Sequence, residues 1–188
     1  MKLFSILQSL TPKYKKYLKY CKNNDIVKLE NHCTKYKFTK KDALFNNGYG
    51  LVIATTKGHI DIVKMITNKF NINKDDIYYH DYLIIRLTGV HGHLNILKFF
   101  VKKYYLTNND LIKEKNSTFQ NAVIHGYLDI VKYIISLCDY KYYIRELALA
   151  YQNANICKKN DIKEYIHSLI FNPEASPSMQ YYFIGLTK

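Results

Sequence analysis

The sequence contains no tryptophan, only three prolines and only seven glycines among its 188 residues. Such a shortage of loop-forming residues argues against a turn-rich β chain and for helices. Acidic residues are also few, 15 against 28 lysines and arginines, so the formal charge is +13. Little is left from which to build the matched carboxylates of an acid–base enzyme. Asp61, Asp129 and Asp161 stand where helices should begin, and Asp75, Asp76 and Asp110 stand in connecting segments. Capping and dipole compensation account for all six. None of the four cysteines, Cys21, Cys33, Cys138 and Cys157, forms a C-x-x-C pair. With no secretory leader in view, reduced thiols in an intracellular protein are expected. No apolar run approaches the roughly 18 residues needed to cross a bilayer. There is no glycine loop to cradle phosphate, and Cys33 beside His32 lacks a partner pair at zinc-site spacing. No catalytic residue, cofactor or metal is therefore expected.

What the chain does have is 48 % hydrophobic and 15 % aromatic residues, enough to bury a core. It also has a repeat. Gly58-His59-Ile60-Asp61-Ile62-Val63-Lys64 returns as Gly92-His93-Leu94-Asn95-Ile96-Leu97-Lys98 and again as Gly126-Tyr127-Leu128-Asp129-Ile130-Val131-Lys132. The glycines are 34 residues apart both times (92 − 58 and 126 − 92), which marks a stacked array.

Leu3, Phe4, Leu7 and Leu10 predict a short amphipathic helix at the start, and Thr11-Pro12 predicts an N-cap with proline at the first helical position. Lys22-Asn23-Asn24-Asp25-Ile26-Val27-Lys28 is a first repeat without its turn glycine. Tyr151-Gln152-Asn153-Ala154 echoes Phe119-Gln120-Asn121-Ala122 and opens a fifth repeat, again without one. Both behave as capping repeats. In each second helix the apolar pair, as in Ile62 and Val63, faces inward and the lysine outward. The repeats fall near 12–35, 46–75, 80–108, 114–140 and 146–170, within an array over 1–171. Pro173 and Pro177 then begin a tail over 172–188.

The turn Gly-His followed by x-x-Ile-Val-Lys resembles the second helix of ankyrin repeats, and the resemblance covers roughly 14–170. Ala54 and Ala122 fall where that family keeps small residues for close packing. Asn71-Ile72-Asn73, Tyr105-Leu106-Thr107 and Asp139-Tyr140-Lys141 fall where it carries the Asp-Val-Asn that enters a β-turn finger. Of the family's Thr-Pro-Leu-His only the apolar third position survives. Degenerate repeats in a Lys/Asn/Ile/Tyr-rich chain are similar to the ankyrin proteins of large DNA viruses that infect amoebae. The resemblance implies an all-α ankyrin-type solenoid of about five helix-turn-helix repeats.

It also implies a protein-interaction module, with a host protein as partner and the host cytoplasm as its setting. The two positions before each turn glycine vary freely: Thr56 and Lys57, Val90 and His91, Ile124 and His125. These are the first contact candidates. Tyr79, His80, Tyr82, Lys113 and Glu114, in the finger segments, come next. His91-Gly92-His93 has the composition of a metal site, but His59 occupies the His93 slot with no second ligand nearby, which favours a structural role at the turn. The alternative function is a basic scaffold for nucleic acid or acidic virion components, since Lys13-Tyr14-Lys15-Lys16-Tyr17 interleaves charge and aromatics. On a helix those tyrosines share a face with Leu18 and Cys21, which favours core packing.

Overall fold

The computed structural model describes residues 11–78, 83–112, 117–137, 139–171, 180 and 184–185, and all regular structure among them is helical. The all-α expectation therefore holds. The helix expected over 3–10 lies outside the described residues, as do Cys138 and nearly all of the tail. The chain divides into two compact units, Met1–Leu87 and Thr88–Lys188. The first holds α1 (Pro12–Lys22), α2 (Ile26–Lys35), α3 (Lys40–Ala43), α4 (Phe45–Thr56), α5 (Ile60–Lys69) and α6 (Lys74–Tyr78). The division falls within α7 (Leu83–His91). The second holds α8 (Leu94–Tyr104), α9 (Asn108–Ile112), α10 (Thr118–His125) and α11 (Leu128–Ser136). A 3-10 turn (Tyr140–Tyr143), α12 (Ile144–Ile156) and α13 (Asn160–Ile170) complete it.

Each first helix ends in the same way. Asn24, Gly58, Gly92, Gly126 and Lys158 are all left-handed, with φ of 56°, 76°, 75°, 88° and 56°. The next N–H reaches back five residues, from Asp25 to Tyr20, His59 to Ala54, His93 to Thr88, Tyr127 to Ala122 and Lys159 to Ala154, at 2.8–3.1 Å. This turn closes the helix by satisfying a carbonyl that would otherwise be orphaned. Glycine carries no Cβ penalty there. The end repeats adopt the same conformation with Asn24 and Lys158, so the backbone repeat outlives the glycine.

Second helices end alike too, with Lys37, Asn71 and Tyr105 at φ 46°, 48° and 50°. Beyond these residues the chain departs from the expected β-turn fingers. Thr39, Asn73 and Thr107 each donate a backbone N–H to the carboxylate of the aspartate three residues on, Asp42, Asp76 and Asp110. In the first two the N-cap side chain also accepts from the aspartate's own N–H. Such reciprocal bonds start helices. Short helices α6 and α9 therefore follow the segments expected to enter fingers, and α3 stands in the corresponding place of the first repeat, anchored by buried Ala43, Ile77, Leu111 and Ile112. Asp139-Tyr140-Lys141 leads into the 3-10 turn instead.

Ile62, Val63 and Ile66 in α5 are wholly buried, as are Ile96, Leu97 and Phe100 in α8 and Ile130, Val131 and Ile134 in α11. Lys64, Lys98 and Lys132 are exposed. In the second unit these lysines are more than solvated surface. The Lys98 ammonium lies 5.3 Å from the ring centre of Tyr133, and that of Lys132 lies 5.3 Å from Tyr165 in the following repeat. Each such pair favours one register between neighbouring helices by roughly 0.5–1 kcal/mol. The Gln-Asn echo has a structural meaning as well. Buried Gln120 donates to the Glu146 carbonyl, and Asn153 donates to the Gln120 side chain at 3.0 Å.

Pro12 occupies the first position of α1 as expected, although the Thr11 side chain makes no capping bond. Tyr17, Leu18 and Cys21 are buried, and Tyr14 stacks on Phe45 at 4.0 Å between ring centres. Asp42 gathers the Lys13 ammonium at 2.6 Å, the Tyr14 hydroxyl at 2.7 Å, and the Thr39 N–H and hydroxyl at 2.9 Å each. Partial burial would raise the Asp42 pKa, but these donors outweigh it and hold the carboxyl far below its usual range. The same bond pushes Tyr14 up to about 12, because losing its proton would cost the bond and set two negative charges side by side. A depressed carboxylate pKa stabilises the fold above the unfolded value near 4 and is lost as pH falls through the folded value. Asp42→Asn should therefore cost about 1–2 kcal/mol near neutrality. The gap to wild type should narrow steadily below about pH 4 in denaturant titrations.

Candidate partner-binding surface

The turn that closes each first helix also fixes what the helix end displays. Ala54, Thr88, Ala122 and Ala154, which supply the carbonyls for the closing bonds, are wholly buried. Two residues further along, the helix has turned its side chains outward. Thr56, Val90, His91 and Ile124 are half-buried, and Lys57 and His125 are exposed. All six candidates from these positions thus reach the surface. Tyr79, His80, Tyr82, Lys113 and Glu114 lie outside the described residues.

Four positions of the same slot went unnoticed in the sequence. Lys22 and Asn23 precede Asn24, and Ile156 and Cys157 precede Lys158. Ile156 is 75 % exposed, the most solvent-facing apolar residue of the set. Lys158 stands in the glycine's place at a spacing of 32 (158 − 126), but the contact slot was not carried to the two residues before it, and Asn24 at 34 (58 − 24) was passed over for Lys22.

His59 behaves as the turn reading required. Its Nε2–H donates to the Lys22 carbonyl at 3.0 Å, tying the second repeat's turn to the end of α1. His91 and His93 stack at 6.2 Å between ring centres. Among the described residues no cluster of three or more histidine, cysteine or acidic side chains is placed to hold a metal. Cys21, Cys33 and Cys157 form no disulfide. Burial pushes the Cys21 thiol well above its usual range and Cys33 up to about 11, which disfavours the thiolate in both.

In the first unit the slot opens onto a groove of about 710 Å³ between α1 and α4. Leu18, Val52 and Ile53 supply apolar lining, and Tyr49 adds an aromatic wall. Lys15, Lys19 and Lys22 follow one face of α1, while Thr56 and Lys57 close the far end. Of these, sequence reasoning singled out Thr56 and Lys57 as protein-contact candidates. The lysines of α1 stood out as a basic stretch, but nothing local tells that Val52 and Ile53 lie opposite them. Among the described residues, no helix is long and apolar enough to cross a membrane. The chain has no significant match among protein-family models, curated proteins or solved structures.

Proposed function

We propose that this chain is a non-catalytic protein-interaction module, ankyrin-like in its repeats, that holds a partner protein along the ends of its first helices. The supporting observation is the abrupt change at each helix end. Positions that must carry small side chains are buried, and two residues later come lysine, threonine, valine, histidine and isoleucine at the surface. Variation confined to a surface slot that recurs at each helix end suits recognition. Resemblance to viral ankyrin proteins makes the partner a host protein in the host cytoplasm. Affinity capture from host-cell lysate, with and without nuclease, tests this. One protein retained after nuclease treatment is the expected result; prey lost with the nucleic acid would overturn it.

A second reading, a basic scaffold for nucleic acid or acidic virion components, draws on one patch of the first unit. Lys16, Lys28 and Lys35 surround Tyr20, Tyr36 and His32 there. That reading requires affinity to fall steeply with salt.

A further inference from the structure

We infer that the groove between α1 and α4 takes an acidic segment of a partner protein, with one or two large apolar side chains set between its carboxylates. This rests on the interaction-module reading and names the chemistry of the partner. Lys15, Lys19 and Lys22 stand at i, i+4 and i+7, so they form one bank about 10 Å long. Lys57 stands at the end of the other helix, and among the described residues no carboxylate lines the groove. The charged side chains of this described lining are of one sign and draw negative charge.

Charge alone would suit phosphates equally well. The floor decides between the two. Leu18 and Ile53 offer apolar surface that a phosphate backbone would leave wet, whereas a leucine or phenylalanine would fill it. Single-stranded nucleic acid would need a row of aromatic faces for its bases, and among the described residues Tyr49 is the one aromatic of the lining. A peptide carrying both chemistries satisfies the banks and the floor together.

The test is fluorescence anisotropy on the full chain. A labelled peptide of Glu-Leu-Leu-Glu blocks is compared with the same peptide carrying serine for leucine, and with oligothymidylate of matched charge. The leucine peptide should bind most tightly. K15E/K19E should weaken it by about tenfold or more, while K64E/K102E, an equal charge change on other helices, should alter it less than about twofold. Circular dichroism on both variants establishes that they are folded. Equal losses in the two variants, equal binding of the serine peptide, or oligothymidylate displacing the leucine peptide would each overturn the inference. A nuclease-resistant protein still captured undiminished by K15E/K19E would overturn the groove assignment alone and leave the module standing.

Discussion

Gly89→Ala should destabilise the second unit by about 3 kcal/mol or more, although alanine is the better helix former by about 1 kcal/mol. Gly89 lies in the last turn of α7, before the left-handed Gly92, and its own φ is not positive. A methyl group built there would fall well inside van der Waals contact of the Thr118 carbonyl oxygen, with the Thr118 methyl at 3.2 Å. The obstacle is backbone, which cannot swing aside as a flexible side chain does. The ends of α7 and α10 would have to separate, loosening what both bury. Overlap with a main-chain atom thus outweighs the propensity gain, and the sign is the reverse of an ordinary Gly→Ala change in a helix. Denaturant titration followed by hydrogen exchange of α10 measures it. A neutral or stabilising result would show that the two helices do not approach so closely.

Phe100→Ala should cost about 3–5 kcal/mol, because the ring is wholly buried and its removal leaves a cavity that the surrounding helices cannot fully collapse. The repeat makes a finer forecast. Ile66, Ile134 and Ile166 occupy the slot of Phe100 in other repeats, and all are wholly buried. Phe100→Ile should therefore cost only about 1–2 kcal/mol, since the slot accepts isoleucine elsewhere. Thermal and urea unfolding of the two variants beside wild type measure both. Equal losses from alanine and isoleucine would mean that the slot is shaped around the ring and the repeats are not interchangeable there.

Local features were legible in the sequence because they are decided within a few residues. Ile62, Val63 and Ile66 declare a helix face by spacing alone, and Gly58 declares a left-handed turn because other residues are penalised there. Asp76 and Asp110 were recognisable as capping residues, whereas Asp42 was not. Three things were not legible. Lys158 and Asn24 share the left-handed backbone of Gly58, and although Lys158 could be placed in the glycine's slot, a lysine in a left-handed turn has no sequence signature. Two segments similar to a finger entry lead into helices, since Asn73 and Thr107 found their capping partners three residues later. Gly50 and Gly89 carry no mark of their role in the sequence, yet Gly50 makes room for the buried Tyr17 ring and Gly89 for the Thr118 backbone.

The candidate surface divides along the same line. Thr56, Lys57, Val90, His91, Ile124 and His125 come from the repeat, because a helix end repeated every 34 residues displays the same two positions each time. The groove could not be foreseen. Lys19 and Ile53 are separated by 34 residues of chain (53 − 19), and only the packing of α1 beside α4 brings charge and apolar floor to one place. Sequence by itself determined that the chain is helical and periodic, since hydrophobic spacing and turn chemistry act over short range. Tertiary structure alone decided which distant side chains become neighbours, since that depends on how closely two helices approach, and a single missing methyl group sets that distance.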